Sequence, residues 1–367
     1  MHNGLYQTIA RAAAALSFLA LCYAAGRALP GAPGSAAGQA AVLGSPSQRA
    51  PYDLQVVSIS RGRMRRHGKH VGLPPAESGW GYAPQWSWVS RRALYLAGHS
   101  EDTRIVVASP AKGTNTPIPW SSGAFYARWS PDGRALFAIR NFRNTPTDFR
   151  RLTYIDLRHG RVAELLDSVA TADFTPDGHA IVFSRLFVGE KPAGNLDFLT
   201  IGPPAGLRRV WYVSSPPGAE AREVEGGEVD RLLGAAFRHA IATWPRLPLW
   251  GTYWVSTINL GISPHGRYVF VPEAQSIPKN GKPLVLNLPA EYGIMDGSGR
   301  LTRFEPGEYG FRLVGWSPDE KYLYGMGGFG ESELITVTAA TGKVRHEKLR
   351  PPEGWHMYVV AFRPARR

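Results

Sequence analysis

The groups in this chain that could do chemistry are thinly spread. There are ten histidines and one cysteine, Cys22, in 367 residues. No Gly-x-Ser-x-Gly elbow is present to activate a serine. Gly261-Ile262-Ser263-Pro264-His265 fails it at the last position. There is no His-Glu-x-x-His pair to grip zinc from one helix face. His67 and His70 are three apart but lie among Arg61, Arg63, Arg65, Arg66 and Lys69, whose charge repels a metal cation. His99 with Glu101 and Asp102 reads as a polar turn, and His265 stands where a turn would carry Asp. His356, beside Trp355, is the histidine placed to reach a binding surface. The carboxylates Asp148, Glu190, Asp197, Glu273 and Glu291 are far apart in sequence, and that spacing fixes no acid–base pair for sugar chemistry. No metal, cofactor or catalytic residue is therefore expected. The densest group is aromatic and basic: Trp250, Tyr253 and Trp254, with Arg143, Arg150 and Arg246, are candidate binding residues.

What must position these groups is a repeated turn. In Trp129-Ser130-Pro131-Asp132-Gly133, Pro131 presets φ, Asp132 accepts local backbone bonds and Gly133 tolerates positive φ. Apolar runs flank it, Ala124–Arg128 and Ala135–Ile139. Related units follow Trp86, Phe174, Ile262 and Trp316, and another begins at Phe362. The anchors are 43, 45, 88, 54 and 46 residues apart. A period near 45 with four short strand signals per unit is the spacing of propeller blades, each of which must stack on its neighbours to cover its faces. Val229, Leu232, Leu233, Ala236, Phe237, Ala240, Ile241 and Trp244 follow helical spacing, and Pro245 stops the pattern. The 88-residue interval thus reads as one blade carrying an inserted amphipathic helix near 229–244. The expectation is an all-β, six-bladed propeller. Seven blades is the alternative, with a degenerate blade in that interval.

These turns resemble the WD40-like Pro-Asp repeats of TolB-type β-propellers over residues 80–367. The copy at 129–133 is complete. Thr175, His265 and Glu320 depart from it at the Ser, Asp and Gly positions, and the copy at Trp86-Ser87-Trp88-Val89-Ser90 lacks Pro-Asp-Gly. The resemblance implies a fold. Such propellers bind proteins, carry protease domains or act on sugars, so function has to come from the site.

With strands a to d counted outward, the Pro-Asp-Gly turn joins a to b. The long segments 141–150, 186–207 and 272–283, the helix, and the aromatic run 250–254 then all fall on the opposite rim, which is the expected binding face. The ring is expected to close by pairing Tyr52–Ser60 with the C-terminal strand Met357–Phe362, leaving the last blade incomplete.

At the N-terminus, Arg11, the apolar run Ala12–Ala25 and the small-residue stretch Gly31–Ala41 have the order of an export signal. Residues 1–25 read as a signal peptide or anchor, 26–50 as a Gly/Ala/Pro/Ser-rich linker and 51–367 as the propeller. The formal charge is +13, about +11 without the signal, and much of the excess sits in Arg61, Arg63, Arg65, Arg66 and Lys69, read as a basic surface loop. In a cytoplasmic protein that charge would point to nucleic acid. In an exported one, periplasmic or extracellular or held by its N-terminal segment, it points to an envelope protein, an anionic polysaccharide or an anionic membrane surface. The expected function is non-enzymatic binding through the loop-bearing face. The alternative is a carbohydrate lyase or hydrolase with its site at the channel mouth.

Overall fold

The computed structural model describes residues 37–45, 52–60, 63–73, 84–98, 103–142, 149–192, 207–243, 261–273, 291–307, 311–327, 333–351 and 356–364. These form six antiparallel sheets of four or five strands. Blade 1 takes its inner strand a from the C-terminus, His356–Pro364, and strands b to d from the N-terminal side, Gly38–Ser45, Tyr52–Ser60 and Arg63–Leu73. Blade 2 is built from Gln85–Ser87, Arg92–Ala97, Arg104–Ser109 and Thr114–Pro117. Blade 3 comprises Ala124–Trp129, Ala135–Phe142, Phe149–Asp156 and Arg161–Glu164. Blade 4 comprises Val169–Phe174, Ile181–Val188, Leu207–Ser214 and Arg222–Val224, with Lys191–Pro192 paired to its b strand. In blade 5 the strands are Gly261–Ile262, Tyr268–Glu273, Glu291–Asp296 and Leu301–Phe304, and in blade 6 they are Arg312–Trp316, Tyr322–Gly327, Glu333–Thr338 and Val344–Lys348.

The core is divided among the seams between blades. Leu94, Ile105 and Val107 of blade 2 pack on Ala127, Trp129 and Leu136 of blade 3. Phe137 and Ile139 of blade 3 meet Phe174, Ile181 and Phe183 of blade 4. Further clusters join blades 4 and 5, 5 and 6, 6 and 1, and 1 and 2. Each seam thus has its own apolar cluster, so the six sheets close into a ring. The chain is a six-bladed β-propeller.

Inner strands are also stitched by polar bonds. The Trp129 indole N–H donates to the Gln85 carbonyl (3.3 Å), the Gln85 amide donates to the Ala127 carbonyl (2.8 Å), and the Trp316 indole donates to the Gly261 carbonyl (2.7 Å). The tryptophan of the repeat thus ties each of these blades to the one before it, which gives it a structural role.

The turns themselves are internally satisfied. Ser130 donates to Asp132 (2.6 Å), and the Arg134 N–H donates to the same carboxylate (3.0 Å). Thr175 with Asp177, and Ser317 with Asp319, repeat this at 2.6 and 2.7 Å. Blade 5 has His265 in the acid's place and solves the problem across the seam. Glu320 of blade 6 sits at the Gly position of its own turn with φ of 58° and accepts from the Ser263 hydroxyl (2.5 Å), the His265 N–H (2.6 Å) and the Arg267 guanidinium. The two departures from the repeat are one exchange: the acid lost at 265 is replaced from 320.

Six expectations are corrected. The stretch read as linker contains the strand Gly38–Ser45, which lies between the C-terminal strand and Tyr52–Ser60, so those two do not pair directly. Its Ala40, Ala41 and Val42 are fully buried, and burial on both faces holds a sequence with little strand propensity. The closing blade is complete. The basic segment read as a loop is in large part a strand: Arg63–Leu73 pairs with Tyr52–Ser60 as the outermost strand of blade 1. Finally, the inserted helix is two helices, α1 (Gly226–Leu233) and α2 (Ala235–Thr243), broken at Gly234 with φ of 88°. Val229, Leu233, Ala236, Phe237 and Ala240 are buried in the seam between blades 4 and 5, as their spacing predicted. The break lets Gly234 pass the Gly266 turn, where a Cβ would lie 2.1 Å from the Gly266 carbonyl oxygen. The helices therefore lie against the turn end of blade 5, and not on the opposite rim. No helix among the described residues is long and apolar enough to cross a membrane.

Candidate binding rim

Strand register fixes which side chains reach the rim opposite the turns. In blade 3 the b strand leaves the turn at Ala135, and Arg140 and Asn141 face Arg151 and Arg150 at its far end. In blade 4 the b strand leaves the turn at Ile181, and Leu186 and Phe187 face Arg209 and Arg208. The connection from blade 2 to blade 3 arrives at this same end, since it runs from the d strand Thr114–Pro117 into the start of Ala124–Trp129.

That connection holds Trp120, 72% exposed and in the left-handed region at φ of 64°. Both features are unfavourable for a tryptophan in water: a non-glycine residue at positive φ carries strain of about 1 kcal/mol, and a large apolar face is left wet. The next residue fixes the turn. Buried Ser121 accepts from the Ile105 N–H (2.9 Å) and donates to the Ile118 carbonyl (2.6 Å), while the Gly123 N–H donates to the Thr103 carbonyl (2.9 Å). Trp120 is thus presented by a rigid frame.

Beside it lies a group of arginines. Arg140 donates through Nε to the Ser122 carbonyl (3.0 Å) and shares Glu164 with Arg151, at 3.5 and 2.6 Å. Burial and the neighbouring Arg151 lower the Arg140 pKa, with Glu164 opposing them. In the next seam Arg185 pairs with Asp167 (2.6 Å) and lies over Phe187 and Tyr212 at 5.3 and 5.9 Å. Arg208 covers the Phe187 ring at 4.9 Å. On the opposite face of blade 4, Arg209 donates to buried Ser184 (2.6 Å) and lies over Trp211 at 5.7 Å. Burial pushes the Arg209 pKa down to about 10, so it remains cationic at neutral pH. Among the described residues five arginines stand here against two carboxylates, Glu164 and Asp167. Guanidinium groups interleaved with rings present planar, bidentate donors to oxyanions.

A second buried pair lies deeper. Arg128 of the blade 3 inner strand reaches Asp173 of the blade 4 inner strand at 2.5 Å. Burial raises the Asp173 pKa to about 6, offset in part by Arg128. This pair closes an inner seam, as Trp129 and Trp316 do elsewhere.

Of the residues expected to bind, Arg143, Arg246, Trp250, Tyr253, Trp254 and Trp355 lie outside the described residues, as do the side chains of Arg150 and His356. Arg150 has its backbone at the rim end of blade 3, paired with Asn141, and His356 begins the inner strand of blade 1, paired with Ser45. Arg61 is outside the described residues, Arg63, Arg65 and Arg66 are exposed on strand d of blade 1, and Lys69 lies in the same strand. Glu273 and Glu291 are direct cross-strand partners, and Asp148 and Asp197 lie outside the described residues. Among the described residues no group of three or more His, Cys, Asp or Glu is placed to hold a metal ion. Trp120, Arg140, Arg151, Arg185, Arg208 and Arg209 were not singled out by sequence. The arginine pairs 150–151 and 208–209 at strand starts were the available signal. Trp120 carried none, because its exposure depends on the turn that Ser121 builds.

No family model matches the chain. No curated protein matches it either. Solved structures similar to it include TolB from Acinetobacter baumannii, at 14% identity and a TM-score of 0.44 over 84% of this chain. The match covers 65% of the TolB chain, under two thirds of its length. An oligogalacturonate lyase in complex with manganese aligns at 12% identity and a TM-score of 0.40, covering 82% of this chain and 76% of the lyase. The β-propeller domain of the trilobed protease from Pyrococcus furiosus aligns at 10% identity and 0.40, covering 83% and 88%. Binding proteins and enzymes both occur among these neighbours, so the likeness does not choose a function.

Proposed function

We propose that the chain is a non-enzymatic binding propeller of the cell envelope, and that its rim opposite the Pro-Asp-Gly turns receives an anionic partner, an acidic polysaccharide or an acidic protein surface. One observation carries this reading: Trp120 is held exposed at positive φ beside the Arg140–Arg151–Glu164 group. A wet, strained aromatic next to clustered guanidinium groups costs stability in the free protein, and a bound partner would return it. Arg208 and Arg209, which have no acidic partner among the described residues, extend the surface across blade 4.

The test is calorimetric titration with an acidic polysaccharide such as heparin and with neutral dextran, at low and high salt. Binding of the acidic polymer alone, weakened by salt, is expected. Arg208→Ala or Arg151→Ala should each weaken it about tenfold or more, since a charge-assisted hydrogen bond is worth roughly 1.5–3 kcal/mol. Equal binding of dextran, or indifference to both substitutions, would overturn the reading. So would bond cleavage in the polymer.

A further inference from the structure

A second basic surface lies elsewhere on the ring, at the seam between blades 6 and 1. The strand Arg63–Leu73 has the sequence RMRRHGKHVGL, which contains no Asp or Glu. It is the outer edge of its blade, and Arg63, Arg65, Arg66 and His70 are exposed. Pairing with Tyr52–Ser60 sets Arg63 and Arg65 on one face of the strand, about 6.8 Å apart, with Arg66 on the other face. The basic surface does not end at the blade. Arg63 forms a parallel bridge with Arg350, just beyond the outer strand Val344–Lys348 of blade 6, and Lys348 and Arg350 are both exposed. Beneath them Met64 and Leu349 pack into the shared seam and hold the two edges together. The nearby carboxylates among the described residues already have partners: Glu347 pairs with Arg345 (3.2 Å), Glu333, opposite Lys348 in the ladder, with His346 (3.2 Å), and Asp53 lies 4.0 Å from His70. The fold thus brings Arg63 and Arg350, from different blades, side by side, and among the described residues neither has an acidic partner, an arrangement that repels itself until an anion covers it.

We infer that this seam docks on an anionic lipid surface. Cations along an outer edge suit a flat, laterally continuous negative sheet. The chain reaches this blade directly from its apolar run: twelve residues separate Ala25 from Gly38, the first residue of strand b in the same sheet. That stretch spans at most about 47 Å when extended. The inference concerns a surface distinct from the arginine–tryptophan rim and stands whether or not the rim binds a polymer.

The experiment is co-sedimentation of the full chain with vesicles of phosphatidylcholine alone and of phosphatidylcholine containing phosphatidylserine, at 0.1 and 1 M salt. Any contribution of the apolar N-terminal run is common to both vesicle types, so the difference between them is what is read. The variant Arg63→Gln/Arg65→Gln/Lys348→Gln/Arg350→Gln should lose several hundredfold in preference for the anionic vesicles, at roughly fivefold for each cation removed. The control Lys112→Gln/Arg158→Gln/Arg161→Gln/Lys343→Gln removes the same charge from other exposed positions and should keep most of that preference. Circular dichroism and the unfolding midpoint show that each variant is folded. Equal binding to both vesicle types, equal losses in the two variants, or a preference of the wild-type chain for duplex DNA over anionic vesicles would each overturn the inference.

Discussion

Glu320 and His265 are read as halves of one exchange, and that reading has a sharp consequence. Glu320→Gly restores the residue the turn geometry favours at φ of 58°, relieving about 1 kcal/mol of backbone strain. It also removes a carboxylate that is 1% exposed and accepts from Ser263, His265 and Arg267. The Ser263 hydroxyl and the His265 N–H each lose a charged acceptor, which together costs about 3–5 kcal/mol. The Arg267 contact adds little to this, since its side chain is 63% exposed. The net expectation is a loss of about 2–4 kcal/mol. His265→Asp alone places a second carboxylate beside Glu320 and should also destabilise. The double variant His265→Asp/Glu320→Gly rebuilds the local turn found at Ser130–Gly133, and should return to within about 1 kcal/mol of the parent. Urea unfolding followed by tryptophan fluorescence, with an unchanged m-value, reads all four proteins. The acid limb gives a second reading. Burial pushes the Glu320 pKa up, but the bonds from Ser263, the His265 N–H and Arg267 outweigh it and leave the pKa below the ordinary value. The stability this group contributes is present above the ordinary carboxylate range and lost as pH falls below it, and Glu320→Gly should remove that loss. Additive effects of the two substitutions would refute the exchange.

Two further outcomes follow from single positions. Gly234→Ala should destabilise by about 2 kcal/mol or more, because its Cβ meets the Gly266 carbonyl at 2.1 Å. Gly227→Ala, with nothing within 4 Å of the added Cβ in the same pair of helices, should stabilise slightly, and thermal unfolding compares the two. Asp173 should titrate near pH 6 in the folded protein, against 3.8 for a free side chain. Its native state holds the proton more tightly, so its contribution to stability falls as pH rises from about 4 through 6. Asp173→Asn should flatten that part of the urea-midpoint profile, and an unchanged profile would refute the assignment.

The phase of the ring was legible because its turns are local. Pro131, Asp132 and Gly133 specify their own dihedrals and hydrogen bonds, and the interval between copies fixes the blade. The helices were legible from the spacing of Val229, Leu233, Phe237 and Ala240. Their break was not, because Gly234 bends away in response to Gly266, a contact from another blade. Gly38–Ser45 was hidden for a similar reason. Its small residues have little preference for a strand and are held by partners on both sides. A basic composition disguised Arg63–Leu73 as a loop. At the rim, sequence identified which ends of the b strands lie opposite the turns. The side chains that meet there, Trp120 with Arg140 and Arg151, depend on register and on the turn built by Ser121.

The most direct test of the binding account is Trp120→Gly. Glycine adopts φ of 64° without strain, and this relief of about 1 kcal/mol is only partly offset by the greater freedom of glycine in the unfolded chain, so the variant should be more stable by about 0.5 kcal/mol in urea. If the strained tryptophan is kept for binding, the same variant should bind the acidic polysaccharide at least about tenfold more weakly. A variant that gains stability and loses affinity is the predicted result. One that gains stability and binds as tightly as the parent would contradict the account.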